Sequence, residues 1–353
     1  MTAIPHIANA EWLGRPERIP AALDAQYPDV GTIDMGPVIA FPGLVNSHDH
    51  LEFNCYSPLG APPYADFTEW GSDIHRCSED LIAAVESIPR TVRLKVGVLK
   101  NLLSGVTSVA HHGTKLPEDL QLPIRVISNF DSVHSPEKEP NGRRQFFKLW
   151  RRRPVVLHMA EAITAGSRAR ALDFVRWNAF GRRVIGIHGV ALKDDDFSKL
   201  DALVWCPASN LFLLGRTADI AAAKETTTIL FGTDSTVSAD GTIWDHLRTA
   251  RELGGLSDTE LFNAVTESAQ QAWRFKVNDF VVARRRESDR WAAFFSITPT
   301  DILLVVRNGH VVMADDEIVE TSPEIGSALT PLDIAGCRKW VRMDVGGLAA
   351  SFD

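Results

Sequence analysis

Short apolar runs recur through the middle of the chain, each bounded by turn residues and followed by a more polar, helix-patterned stretch. Residues 105–110, 124–128, 154–158, 184–188, 203–206 and 228–232 read as buried strands, and Leu44-Val45, after the Pro42-Gly43 turn, as the end of another. Helical spacing of apolar positions marks 80–103 (broken near Pro89), 167–180, 195–200, 244–253 and 258–273, with a basic helix over 143–153. Strands alternating with helices argue a mostly parallel sheet. The expected fold is therefore α/β, a (β/α)8 barrel. Between Ala110 and His158 only one strand is clear, where eight regular units need two. Either a short strand lies hidden within 130–134, or the barrel is distorted and lacks a unit.

The two ends have a different pattern. Residues 1–43 read as short strands and turns, with 33–40 strand-like, and 301–312 as a hairpin turning at Asn308-Gly309. Together, 1–43 and 277–353 are expected to form a small discontinuous β-sandwich domain, with the barrel, 44–276, inserted into it. Residues 54–77, rich in Pro and aromatics, are expected to be an irregular loop, and loops of that length usually carry function.

Composition narrows the class. A chain of 353 residues, 45% hydrophobic and 23% charged, has the make-up of a soluble globular protein and room for such a barrel plus an accessory domain. The net charge is −8, and the only basic blocks are 151–153 and 284–286, so no nucleic-acid partner is expected. No apolar run approaches the ~20 residues of a membrane span. The start, Met1 to His6, lacks the pattern of a signal peptide. Four scattered cysteines without a CxxC pair suggest reduced thiols and a cytoplasmic location. The expected partner is a small-molecule substrate; a homo-oligomer stays open.

Candidate chemistry sits at strand ends. His48 and His50 are two residues apart, so in a strand their imidazoles project to the same side, half of a metal site. His158 ends a strand and is followed by Glu161; His188 repeats the placement one unit later; Asp234 follows the strand at 228–232. Each has a plainer reading: a histidine satisfied by a core hydrogen bond, or an aspartate capping a helix. Their shared position at the carboxyl ends of strands is what a (β/α)-barrel site requires. Further candidates for substrate contact are Trp70, which would stack on a flat ring, His111 and His112 at the end of the second strand, and Ser209 and Asn210, which would shape the mouth.

In this order, the segments resemble the motifs of the amidohydrolase superfamily, in the branch with cytosine deaminase, methylthioadenosine/S-adenosylhomocysteine deaminase and the triazine chlorohydrolases. Pro42 to His50 is similar to its PGxxNxHxH motif, Gly105-Val106-Thr107 to its second-strand motif, and His158 to Glu161 to its HxxE. Val184 to Gly189 matches its sixth-strand histidine, Cys206 to Asn210 its CPxSN, and Gly232 to Ser235 its GTDS. The resemblance implies one divalent metal held by His48, His50, His158 and Asp234, with Zn²⁺ expected and Fe²⁺ acceptable to the same donors. It implies Glu161 as proton shuttle, His188 as the group that orients water or polarises the leaving group, and Asp234 as acceptor of the water proton. The implied activity is deamination of an aminated heterocycle or amidine. Hydrolysis of another C–N bond (amide, lactam, imide) or a C–Cl bond is the alternative, and a non-catalytic metal-binding relative the third reading.

Overall fold

The computed structural model describes residues 10–14, 34–148, 153–334, 336–346 and 348. In chain order its strands are β1 (Ala10–Trp12), β2 (Val38–Pro42), β3 (Leu44–Asp49), β4 (Val106–His111), β5 (Arg125–Ile127), β6 (Asp131–Val133), β7 (Val155–Met159), β8 (Val184–His188), β9 (Ala202–Trp205), β10 (Thr228–Phe231), β11 (Phe280–Arg284), β12 (Ile302–Arg307), β13 (His310–Asp315), β14 (Thr330–Ile334) and β15 (Cys337–Val341). The fold is mixed α/β with parallel sheets.

Strands β3 to β5 form one parallel sheet, and β6 to β10 a second, each strand lying beside its neighbour in sequence. Every residue of β3, β4, β7 and β8 is buried; β7 and β8 accordingly read as nearly continuous apolar runs, while β3 and β4 bury polar side chains as well. The first and last strands of the series meet where the amides of Thr233 and Asp234 both donate to the carbonyl of His48, at 3.2 and 3.0 Å. The strand hidden within 130–134 is β6, three residues long and directly after β5.

Among the described residues, the strands of the two chain ends do not build a sandwich of two sheets. They make a single seven-stranded sheet in the order β1-β2-β11-β12-β13-β15-β14. Alternation along its central strands β2, β11, β12 and β13 gives it two apolar faces. Ile39, Phe41 and Val281 face the main core beside Trp244 and Phe294. Val38, Ala40 and Val282 face Ile318, Val319 and Ile325 of the short helices Asp316–Thr321 and Pro323–Gly326. Helices and the main body cover the sheet, so no second sheet is needed. The β12–β13 hairpin turns at Asn308 and Gly309, both with positive φ (50° and 78°), as that dipeptide favours.

Pro89 divides the expected helix 80–103 into Glu79–Ser87 and Arg90–Leu102. The expected helix 258–273 is also two, Asp258–Ala264 and Glu267–Ala272, because the carbonyl of Val265 is taken by the amide of Val45 in β3 (2.8 Å). The basic helix over 143–153 is replaced by a 3-10 helix at Pro140–Phe147, where Pro140-Asn141-Gly142 favours the tighter turn; 149–152 lie outside the described residues. The segment 54–77 is not wholly irregular: Phe67–Cys77 is an α-helix, capped by Asp66, whose carboxylate accepts from the amides of Thr68 and Glu69. Among the described residues no helix is long and apolar enough to cross a membrane.

Candidate active site

His48 lies near the end of β3 and His50 just beyond it. The segment is fixed from behind. The Asn46 side-chain amide donates to Asp49 (3.2 Å), Asn101 (3.0 Å) and Thr233 (2.8 Å), and Asp49 accepts from Asn54 and Asn101, each at 2.7 Å. Burial pushes Asp49 up to about 6, partly offset by the charge of Lys100, whose ammonium donates to Asn54 (2.8 Å).

The remaining groups come from the ends of three other strands. His158, on β7, donates from Nδ1 to the carbonyl of His134 (2.8 Å), which leaves its Nε2 lone pair free. His188, the last residue of β8, is likewise oriented through Nδ1 by Asn210 Oδ1 (2.8 Å). Beyond β10, Asp234 Oδ2 accepts from Ser209 (2.8 Å) and Ser238 (3.0 Å), and Oδ1 from the amide of Ser235 (2.8 Å). That same Oδ1 faces His48 Nε2 at 3.7 Å and His50 Nε2 at 3.9 Å. Glu161 follows β7, with Oε2 3.6 Å from His188 Nε2. Ala160, His188 and Asp234 hold left-handed backbone (φ 52°, 70° and 59°), a conformation that L-residues keep only when their surroundings impose it.

Burial, reinforced by neighbouring imidazoles, holds His48 and His158 well below the usual histidine range; burial takes His50 down to about 4 and lowers His188. All four rings are therefore neutral, the form that donates a lone pair. The two carboxyl groups diverge. Burial, then the charge of Asp234, raises Glu161 well above the carboxylate range. At Asp234 burial also acts upward, but His50, His188 and the two serine hydroxyls outweigh it and the carboxyl is lowered.

The donor atoms of His48, His50 and His158 lie within 4.8 Å of one another, as do those of His48, His188 and Asp234. The Nε2 atoms of His48 and His188 are buried without a hydrogen-bond partner. Unpaired buried acceptors are costly, and imidazole nitrogens with one carboxylate oxygen suit a single divalent cation. The residues present fit such an ion.

Above this cluster opens a cavity of about 270 Å³, with His50, His158, Glu161, His188 and Asp234 at its base and Phe53, Tyr56, Phe67, Trp70, Ile74 and Val237 among its walls. Trp70 is held at the wall by its indole N–H to the carbonyl of Leu59 (2.8 Å). Ser209 and Asn210 lie behind the base, bonded to Asp234 and His188. His111 and His112 do not line the cavity. His111 accepts from the amide of Leu51 (3.4 Å) and faces Glu52 Oε2 at 3.4 Å. His112 bonds Ser132 (2.8 Å) and packs its ring 4.5 Å from that of His158. The structure adds residues that sequence reading left without a role: His134 and Ser238, which line the cavity, and Asn46 and Asn101 behind β3.

No family model and no curated protein matches the chain. Solved structures do. Atrazine chlorohydrolase from Arthrobacter aurescens, complexed with zinc, superposes with a TM-score of 0.60 at 18% identity, over 84% of this chain and 90% of that one. Escherichia coli guanine deaminase gives 0.57 at 17%, over 86% and 90%. Helicobacter pylori aminofutalosine deaminase gives 0.56 at 15%, over 82% and 90%. The chain has the amidohydrolase fold that these deaminases and chlorohydrolases share.

Proposed function

We propose that the chain is a metal-dependent hydrolase that removes the amino group of a small aminated heterocycle or amidine, releasing ammonia. The observation that carries this reading is the placement of Asp234, its carboxyl lowered, and Glu161, its carboxyl raised, both near His188 at the base of an aromatic-walled cavity. Two carboxyl groups driven apart by their surroundings divide into acid and base. His48, His50, His158 and Asp234 would hold the ion, with Zn²⁺ favoured by the N/O donor set. When bound, such an ion acidifies water at the site and polarises the electrophile.

Asp234 Oδ1 accepts a proton from the attacking water as its oxygen bonds to the sp² carbon bearing the amino group. Glu161, pushed toward its protonated form by burial and the charge of Asp234, gives its proton to the adjacent ring nitrogen, a contribution of about 10²–10⁴-fold for a positioned general acid. His188 Nε2 faces the same space and orients the water. Glu161, now ionised, takes the hydroxyl proton of the tetrahedral intermediate while the proton held by Asp234 passes to the amino group. The C–N bond breaks, ammonia leaves, the ring carbon keeps the oxygen as a carbonyl, and both carboxyl groups return to their starting states. Trp70, Phe53 and Phe67 supply flat surfaces for a ring. Hydrolysis of a C–Cl bond is the second reading, because one structural neighbour is a chlorohydrolase and the fold does not fix the leaving group.

In the same reading the two parallel sheets are the halves of a distorted (β/α)8 barrel over 44–276, joined to a domain made of 1–43 and 277–353. The four cysteines are free thiols, in keeping with a cytoplasmic enzyme. The test is ammonia release from a panel of aminated purines, pyrimidines, pterins and guanidino compounds by zinc-loaded protein. Silence across that panel, with turnover of lactams, imides or chlorinated rings, would overturn deamination.

A further inference from the structure

The wall of the cavity on the β7 side is a continuous series of flat groups that ends in a cation. The ring of His134 lies 5.1 Å from that of His158, Phe67 stacks 5.9 Å from His134, and the Lys138 ammonium sits 5.4 Å from the centre of Phe67. A second series runs along the β3 side, from His50 to Phe53 (5.6 Å) and on to Tyr56 (6.3 Å).

Lys138 is the only Lys or Arg among the described residues that line the cavity. Its backbone, in the loop after β6, is tied down where its amide donates to the hydroxyl of Ser135 (3.1 Å), itself buried, while its side chain is exposed. It has no carboxylate within ion-pair distance among the described residues. The neighbouring Glu137 is turned away, accepting from Ser167 (2.9 Å) and Arg170 (3.4 Å). Glu86, which also lines the cavity, comes from the helix Glu79–Ser87 and would repel an anion placed near it. The charge distribution at the mouth is thus lopsided. An unpaired cation beside a stacking surface is complementary to an aromatic anion.

We propose that Lys138 anchors the substrate's distal end, and that the substrate is a flat aminated heteroaromatic bearing a carboxylate on the edge away from the reacting amino group. A single ammonium with no second cation beside it suits one negative charge rather than a phosphate. The inference rests on the deaminase reading only in placing the amino end at the metal-ligand cluster.

Binding and turnover are therefore measured separately, on zinc-loaded full-length protein, with pterin and pterin-6-carboxylate as the matched probes and their fluorescence as the binding signal. In the native chain the carboxylate is expected to bind at least about tenfold more tightly than the parent. Lys138→Met, which keeps an alkyl chain over Phe67, is expected to reduce that preference below about twofold, and Lys138→Arg to retain it. Equal affinity of the native chain for both probes, including no detectable binding of either, overturns the anchor, as does an undiminished preference in Lys138→Met. Lysine-dependent binding without ammonia release from any panel compound supports the anchor and sinks the deaminase reading alone.

Discussion

Asp234 and Glu161 are carboxyl groups at the base of one cavity, and their neighbours push them in opposite directions, Asp234 down and Glu161 up. Asp234 is surrounded by donors, from Ser209, Ser238 and the amide of Ser235, and points its free lone pairs at His48 and His50. Asp234→Asn keeps the shape but presents a neutral amide to the imidazoles, so zinc content after dialysis, read by elemental analysis, should fall at least about tenfold. Glu161→Gln removes a titrating group that is not needed to hold the ion. It should keep its zinc while turnover drops by about 10²–10⁴-fold. Unchanged metal in the first variant, or unchanged turnover in the second, removes the assigned role. These residues were legible because each lies within a local pattern, HxH, HxxE or GTDS, next to a strand that could be recognised by its apolar run. His134, Asn101 and Lys138 were not. His134 and Lys138 come from the loop after β6 and Asn101 from the helix Arg90–Leu102, by contacts such as Asn101 to Asp49 that no spacing along the chain encodes.

The helix Arg90–Leu102 decides where His50 stands, because it packs against the turn Leu51–Phe53 that follows that histidine. The contact is close: a Cβ on Gly97 would lie 2.2 Å from the carbonyl oxygen of Leu51. Gly97→Ala must displace the turn, and overpacking of this kind costs about 1–3 kcal/mol. It should lower the denaturation midpoint and weaken zinc binding together. Gly71, inside Phe67–Cys77, has nothing within 4 Å of its Cβ position, so Gly71→Ala should leave stability unchanged or raise it by up to about 1 kcal/mol. A Gly97→Ala protein as stable and as zinc-competent as the native one would show that the helix does not set the turn. The helix Phe67–Cys77 also shows what sequence reading passes over. Its start signal was present, Asp66 followed by Glu69, whose carboxylate accepts from the amide of Ala65 (2.8 Å), and Phe67, Trp70 and Ile74 have helical spacing. The apolar face turns to a cavity rather than the core, and the prolines before it made the stretch look irregular.

At the scale of the whole molecule, the metal-ligand cluster lies at the seam between the first and last strands of the parallel series. Thr233 and Asp234 bond to the carbonyl of His48 there, while a single residue, Gly43, separates β3 from β2 of the terminal sheet. The parallel alternation was readable from the sequence; the eighth strand could be placed within 130–134 only as one of two alternatives, because β6 has three residues and no helix separates it from β5. Nor was the single terminal sheet of the described residues legible, since an apolar strand face reads the same whether a sheet or a helix covers it. An ion held by β3, β7 and the segment after β10 would cross-link parts of the chain that only folding brings together. Such binding stabilises the native state by RT ln(1 + [L]/Kd), about 2.7 kcal/mol when free ion exceeds the dissociation constant a hundredfold. Stripping the protein with a chelator should therefore lower its denaturation midpoint, and returning zinc should restore it in a concentration-dependent way. Asp234→Asn should show little of that dependence. If zinc shifted the midpoint of Asp234→Asn as far as that of the native chain, the stabilising ion would be bound elsewhere, and the seam would owe its closure to the His48 hydrogen bonds alone.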